Sequence, residues 1–231
     1  MKNLKITAAV VIVLFTGGCA SSISQFQSAK TLEPGEVSFG VASGMGYAVN
    51  KEDSEDDNVR LETARLIEGW LQAGIVKGWD AGGKVSLPSS SSLFVRRGIL
   101  NEDDGDPFSA ALGGGYTVGE YNYKNIAGIK KEVSNTDISI PVYFSKDLLK
   151  GIFTIYTIPT FNIRDSKVDY VDTEDEPRQY TSNMLGGTMG VGINLGSRID
   201  IMAEYNMLRD IENSDLTHEQ AGLGGSVDFG F

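Results

Sequence analysis

The 231-residue sequence has few of the residues that build disulfide scaffolds and histidine sites. It contains one cysteine and one histidine, which excludes an internal disulfide and a two-histidine metal centre. Basic residues number 20 against 31 acidic ones, and the resulting net charge of −11 argues against nucleic acid as a partner. After the first 18 residues, no apolar run approaches the ~18 residues that a transmembrane helix needs. Membrane-spanning helices are therefore excluded, whereas a membrane barrel, whose strands are only half apolar, is not.

The N-terminus has the layout of an export signal. Lys2 and Lys5 precede the apolar run 6–15, which is too short to span a bilayer as a helix. The run ends in Thr16-Gly17-Gly18-Cys19, which resembles the lipobox of bacterial lipoproteins, although Thr16 stands where that family more often has Leu or Val. The resemblance implies cleavage after residue 18, acylation of Cys19 and, with Ala20 next, export to the outer membrane. The alternative is an ordinary secretory signal that ends near a cysteine.

The C-terminus carries an independent signal. Ala221, Leu223, Val227, Phe229 and Phe231 fall on one face at period two, and small or polar residues fall on the other. This pattern resembles the closing strand of outer-membrane barrels, whose terminal aromatic residue is read by the barrel-assembly machinery. Phe229 and Phe231 are accordingly expected to form the assembly signal.

Period-two alternation continues through most of the chain from residue 36 onward. It predicts an all-β fold, an up-and-down antiparallel transmembrane barrel of about ten strands, with 8–12 as the range. Residues 60–76 fit a strand, but 61–66 also suit one or two helical turns. The expected division is a lipoprotein signal peptide over 1–18, an acylated tether without periodicity over 19–35, and the barrel over 36–231.

Connections and aromatic residues support this topology. Short turns at 77–78, 101–107, 146–151 and 196–197 are assigned to the periplasmic side, and most opposite connections, such as 119–135, 164–182 and 209–219, are longer. Two aromatic girdles are predicted. The periplasmic girdle is expected at Phe39, Trp79, Phe108, Phe144, Phe153, Phe229 and Phe231, and the outer one at Tyr47, Tyr116, Phe161 and Tyr205.

The same alternation predicts a charged lumen, in which acids outnumber bases. The inward-facing candidates are Glu68, Asp80, Lys84, Arg96, Asp137, Asp200, Glu204 and Asp228. Such charges are tolerated inside a narrow barrel when they pair or when water reaches them. One interpretation is a structural network that plugs the interior, and the other is a narrow cation-favouring path, since many inward positions are glycine or alanine.

Candidates for catalysis or metal binding are few. His218 is expected to be a solvated loop residue, although a pair with Asp215 is conceivable. The acidic runs 52–57, 101–106 and 172–176 could offer oxygen ligands to Ca²⁺, but none has EF-hand spacing, and solvated loops are the default interpretation. No catalytic residue, metal site or cofactor is predicted.

The expected function is that of a non-enzymatic outer-membrane barrel lipoprotein, lipid-anchored through its N-terminal cysteine, with a structural or surface-interaction role. The alternative is a narrow channel or transport barrel for small solutes or cations, and an outer-membrane enzyme is a distant third. The expected partners are outer-membrane lipids, lipopolysaccharide, the barrel-assembly machinery and an unidentified external partner, with no nucleic acid.

Overall fold

The chain forms a closed β-barrel in the computed structural model. The structure describes residues 25–49, 62–87, 90–124, 130–170, 176–196, 198–212 and 217–230. The strands are β1 (Glu36–Val49), β2 (Glu62–Val76), β3 (Trp79–Leu87), β4 (Ser90–Leu100), β5 (Ser109–Lys124), β6 (Lys130–Leu148), β7 (Phe153–Tyr170), β8 (Arg178–Asn194), β9 (Ile199–Asp210) and β10 (Thr217–Gly230). Within the described residues, no helix is long and apolar enough to cross a membrane.

Every strand pairs antiparallel with its neighbours in sequence, and β1 pairs with β10 to close the barrel. The closing register runs from Glu36↔Gly230 to Val49↔Thr217, so the first and last strands are hydrogen-bonded along their whole length. The predicted ten-strand up-and-down barrel is confirmed. The uncertain stretch is strand from residue 62 onward, paired with β1 and β3, rather than helical.

The outer face of the barrel is an apolar belt. In β1, Phe39 and Val41 are exposed while Gly40 and Ala42 are buried, and the same alternation continues around the barrel. Leu93 and Leu223 are 69% and 65% exposed, which in water would be unfavourable but in lipid is the expected state. Phe108, which directly precedes β5, and Phe144 of β6 lie near the periplasmic side with ring centroids 6.2 Å apart.

Three predicted outer loops are shorter in the structure than the sequence indicates. Residues 119–135, 164–182 and 209–219 were expected as loops, but β5 continues to Lys124, β7 to Tyr170 and β9 to Asp210. The extensions are mostly polar, with Val133 and Val168 as buried exceptions on the lumen side, so they lack the apolar outward face on which the prediction depended. Cross-strand hydrogen bonds hold them instead, as in the pairing of Asp165 with Thr181.

Candidate functional site

The chain segment ahead of the first strand lies inside the barrel. Residues 25–34, here called the plug, fall in the stretch expected to be a tether. Gly35 donates its N–H to the Gly74 carbonyl near the periplasmic end of β2 at 3.2 Å. Further back along the chain, the N–H of Ala29 meets Ser145 Oγ at 3.1 Å, and that of Gln25 meets Glu204 at 2.9 Å. The plug therefore runs from the periplasmic rim to about the middle of the lumen.

Phe26 anchors the plug in the lumen. Its side chain is 2% exposed and stacks on Trp70 of β2, with ring centroids 5.7 Å apart and planes 5° from parallel. Gly222 and Gly224 of β10 also face the Phe26 ring. A Cβ at either position would come within 2.9 Å of the ring, so only glycine leaves room for it. The inward glycines that the sequence places in β10 thus make room for an aromatic side chain of the same chain.

Charged residues of the barrel wall form hydrogen bonds with main-chain groups of the plug. Arg96 donates to the carbonyl oxygens of Ser28 at 2.7 Å and Lys30 at 3.2 Å. Glu204 accepts the N–H groups of Gln25 and Phe26, and it also accepts the Tyr156 hydroxyl at 2.9 Å. A buried segment without a strand partner needs such contacts, because an unpaired main-chain group in the lumen is costly.

Arg96 is itself held by a buried ion pair. Its Nε and Nη2 donate to the two carboxylate oxygens of Asp80 at 2.9 and 2.7 Å, and both side chains are at most 2% exposed. The two residues face each other across β3 and β4, so the strand register brings them together. Gln72 also donates to Asp80 at 2.7 Å, and the Leu32 N–H does so at 3.2 Å. This bidentate pair joins the plug to the wall.

Lysines pair with three of the acids at the periplasmic mouth. Lys30 of the plug contacts Asp103 at 2.9 Å and Asp147 at 2.8 Å, and Lys146 contacts Glu102 at 2.6 Å. Asp103 and Glu102 belong to the acidic run 101–106, which forms a 3₁₀ turn over Glu102–Asp104. Within the described residues, no three acids, histidines or cysteines are placed to hold a metal ion. The run 52–57 and residues 172–175 lie outside the described part.

Side-chain pairs cross the outer half of the lumen. Arg164 of β7 donates to both oxygens of Asp137 at 2.6 and 2.9 Å, and its Nη1 lies 3.1 Å from His218 Nε2. Glu68 accepts from Gln220 at 2.7 Å and lies 3.6 Å from the Lys84 ammonium. His218 was expected to be a solvated loop residue, but it lies in β10 and faces the lumen. Asp215 lies outside the described residues.

The predicted lumen residues fall into two groups by position. Six of them lie along the wall and are buried or nearly so, namely Glu68, Asp80, Lys84, Arg96, Asp137 and Glu204. Asp200 and Asp228 line the periplasmic mouth instead, where they are half-buried. Phe229 lies on the outward face at the end of β10, 46% exposed, whereas Cys19 and Phe231 lie outside the described residues.

Several residues of the lumen escaped the sequence argument. Arg164 was assigned to a loop, and Phe26 to the tether. Trp70 and Tyr156 are large aromatic residues at inward positions, and both are at most 5% exposed. Their inward orientation could be read from the sequence, because each lies between two outward-facing residues of its strand. Large inward rings opposite inward glycines are the signal that indicates a packed interior.

Two cavities flank the plug. The upper one, of about 60 Å³, is lined by Gln25 and Gln27 of the plug together with Asp137, Asn162 and other polar wall residues. The lower one, of about 390 Å³, opens at the periplasmic mouth and is lined by Phe26, Gln27 and Lys30 of the plug. Gln27 borders both cavities, so the plug is the partition between them.

Comparisons with known proteins find similarity in fold only. No family model matches the chain, and no curated protein matches it. The translocator domain of autotransporter NalP from Neisseria meningitidis aligns over 99% of this chain and 95% of its own, with 10% identity and a TM-score of 0.50. Outer membrane protease OmpT from Escherichia coli aligns over 87% and 100%, with 12% identity and a TM-score of 0.46. Neisserial surface protein A aligns over 84% and 97%, with 12% identity and a TM-score of 0.46.

The barrel is closed, its outer face is an apolar belt, and its polar residues are gathered in the lumen and beyond the belt. With no water in the bilayer core, a closed barrel is the one way in which strands can cross it. Taken with the fold shared with the NalP translocator, these features identify the chain as an outer-membrane β-barrel protein.

Proposed function

We propose that this protein is an outer-membrane lipoprotein with a structural or surface-interaction role, anchored through Cys19 and presenting a β-sheet to the outer side. The proposal rests on a contrast between the lumen and the outer ends of the strands. Its lumen is occupied by its own residues, while four of its strands extend well past the length that a membrane requires.

The occupied lumen favours a role outside the barrel. The plug occupies part of the periplasmic half, and Arg164, Asp137 and His218 bridge the outer half. A ten-strand barrel is already close to the size at which side chains nearly fill the interior. Resting conduction of solutes is therefore expected to be small, and the outer surface becomes the better candidate for function.

The extended strands form a projecting sheet on one side of the barrel. Strands β5–β8 have 16, 19, 18 and 17 residues, whereas β3 and β4 have 9 and 11. A tilted strand needs about 9–11 residues to span the bilayer. Pairing with β4 ends at Gly119 and pairing with β9 at Met184, so the projecting sheet consists of β5–β8 beyond these residues.

The projecting sheet has the position and chemistry of a contact surface. Its outward residues Asp165 and Lys167 are exposed, and Lys167 pairs with Asp169 at 2.9 Å. Charged residues just outside the belt lie at the depth of lipopolysaccharide phosphates and their divalent ions. We take lipopolysaccharide as the first partner of this sheet, and an external protein as the second.

Both ends of the chain fit an outer-membrane lipoprotein. Cys19 is the one cysteine of the sequence and follows a lipobox-like run, so its acylation would tether the chain to the membrane. Phe229 closes the outward face of β10 next to the periplasmic end, where the barrel-assembly machinery would read it together with Phe231.

A shortened sheet tests the proposed surface role. Replacing residues 166–180 by Asn-Gly would join Asp165 to Thr181, which already pair, through a two-residue hairpin turn. The shortened chain should still fold and migrate differently on gels before and after heating, because the barrel closes below the deletion. The intact chain should have a higher Tm in vesicles containing lipopolysaccharide and Mg²⁺ than in phospholipid vesicles.

The shortened chain should lose most of that Tm difference, with phospholipid vesicles as the matched control. If the intact and shortened chains respond equally to lipopolysaccharide, the β7–β8 part of the projecting sheet is not the contact surface. If neither responds, lipopolysaccharide is not the partner.

A further inference from the structure

We propose that residues 25–34 form a displaceable plug, and that the barrel behind it is a cation-conducting lumen held shut by this segment. The inference goes beyond the surface role, since it gives the interior a function of its own. It follows from how the plug is attached, what it separates and which charges remain when it leaves.

The plug contributes nothing to barrel closure. Each of the ten strands pairs with two neighbouring strands, and β1 pairs with β10 without help from residues 25–34. The segment joins the wall covalently only through Gly35, whose φ of +87° is a conformation that glycine adopts readily. Its other attachments are hydrogen bonds, ion pairs and the Phe26–Trp70 stack, so it can leave as a unit while the barrel stays closed.

The plug is the partition between two wettable spaces. Gln27 borders both the upper cavity and the periplasmic one, and its withdrawal would join them. Three buried polar atoms around the upper cavity have no hydrogen-bond partner among the described residues, namely Gln27 Oε1, Asn162 Oδ1 and Asn206 Nδ2. Buried amide groups of this kind are usually satisfied by water, and a cavity of about 60 Å³ has room for it. The space next to the plug is therefore suited to water rather than to apolar packing.

The charges around this path favour cations. Six acidic residues and two basic ones line the periplasmic cavity. Glu33 and Lys30 belong to the plug, so five acids and the basic Arg96 remain on the wall when it leaves. When the plug leaves, Glu204 loses the two main-chain N–H groups that it now accepts, and Asp103 and Asp147 lose Lys30. The acids of the wall would then face the lumen, where rings of carboxylates attract cations. The remaining constriction lies in the outer half of the lumen. It consists of the side chains of Arg164 and its partners, without main-chain groups.

A disulfide lock tests the inference on the complete mature chain. Ala29 of the plug and Ser145 of β6 are in contact, with the Ala29 nitrogen 3.1 Å from Ser145 Oγ. In a Cys19→Ser background, Ala29→Cys with Ser145→Cys should form a bond that fixes the plug. A second chain, Phe26→Ala with Lys30→Ala, removes the aromatic anchor and the lysine contacts but keeps the Asp80–Arg96 pair. Heat-dependent gel migration verifies that each chain has folded.

Planar-bilayer recordings in a KCl gradient give the readout. We expect the oxidised double-cysteine chain to be silent and the same chain after reduction to open at least tenfold more often. The loosened chain should open at least tenfold more often than the parent, with a reversal potential that favours K⁺ over Cl⁻. Each single-cysteine variant is the control for the lock.

Equal conductance of the oxidised and reduced chains would overturn the proposal, because the path would then not run past the plug. Silence of the folded, loosened chain would also overturn it, and so would anion-selective openings. The lipopolysaccharide response is measured separately, so the surface role stands or falls independently of these recordings.

Discussion

The two halves of the lumen satisfy their buried charges in different ways. In the periplasmic half, Arg96 and Glu204 bind main-chain groups of a segment that comes from outside the sheet. In the outer half, Arg164 binds the side chains of Asp137 and His218, which belong to the sheet itself. The contacts of Arg96 and Glu204 to main-chain groups depend on the position of the plug, whereas those of Arg164 follow from strand register.

This difference separates two roles that charged residues can have inside a barrel. Side-chain pairs between strands are formed as soon as the barrel closes, and they stay with it. Contacts to a separate segment can be broken without opening the sheet. The periplasmic half is therefore where a change of state is expected. Three substitutions compare the two halves, and two further changes then test the ends of the chain, in order of decreasing effect on stability.

The largest effect is expected from Arg96→Leu. This change leaves the carboxylate of Asp80 buried without its cation and removes the donor to two plug carbonyls. Breaking a buried ion pair in this way should lower the free energy of unfolding by about 3–5 kcal/mol. Urea unfolding in detergent measures it. Arg97→Leu is the matched control, since Arg97 faces outward against Trp79 and should cost less than about 1 kcal/mol.

The corresponding change in the outer half is Arg164→Met, and its effect should be smaller. It removes the donor to Asp137, which lies nearer the outer opening, where water can replace part of the lost hydrogen bonding. We expect a loss of about 1–3 kcal/mol in the free energy of unfolding. Lys167→Met, at an exposed ion pair on the same strand, serves as the control. If Arg164→Met lowered the free energy of unfolding as much as Arg96→Leu does, the two halves of the lumen would not differ in this respect.

Phe26→Ala tests the plug alone. The loss in unfolding free energy should be about 1–2 kcal/mol, near the lower end for burying a phenylalanine, because a detached plug regains chain freedom. In a Trp79→Phe background, Trp70 is the remaining tryptophan, and its fluorescence should shift to the red as water replaces the stacked ring. An unchanged emission maximum would mean that the plug is held without Phe26.

Deletion of Phe231 removes a single terminal aromatic side chain and should change stability by about 1 kcal/mol or less. Its expected effect is on recognition: poor assembly in cells with near-normal refolding in detergent. Outer-membrane abundance and refolding yield, compared for the deletion and for Phe231→Ala, measure the two separately. Normal assembly of both variants in cells would contradict the assembly-signal prediction.

Cys19→Ser should leave the unfolding free energy of the barrel unchanged and abolish acylation. Metabolic labelling with a palmitate analogue should give signal for the parent chain and none for the variant. Labelling of the variant at the parent's level would rule out Cys19 as the acylation site. An unlabelled parent would favour an ordinary secretory signal.

The barrel could be predicted from the sequence because its two requirements are local. Each strand alternates between lipid-facing and lumen-facing residues, as Phe39 and Gly40 do, so period two assigns both the strand and its face. The inward positions of Asp80 and Arg96 follow from the same parity. Even the closing strand is readable, since Leu223 and Phe229 alternate with glycine and acid.

The polar extensions were harder to predict, because their residues have no lipid to face. Strands β5–β8 continue beyond the belt by cross-strand hydrogen bonds, which leave no period in hydrophobicity. His218 and Arg164 were consequently assigned to loops, although both lie in strands and meet across the lumen. Local pattern does not reveal which strands lie opposite each other in a closed barrel.

The sequence by itself determined the barrel, the apolar belt and the acid-rich interior, because each follows from the spacing of residues along a strand. Only the tertiary structure decided what fills that interior. Gln25 and Phe26 meet Glu204, which lies 179 and 178 positions away, and Ala29 meets Ser145 at a separation of 116. Such contacts leave no periodic pattern in the sequence, because they form only when strands far apart in the chain are brought around the same segment.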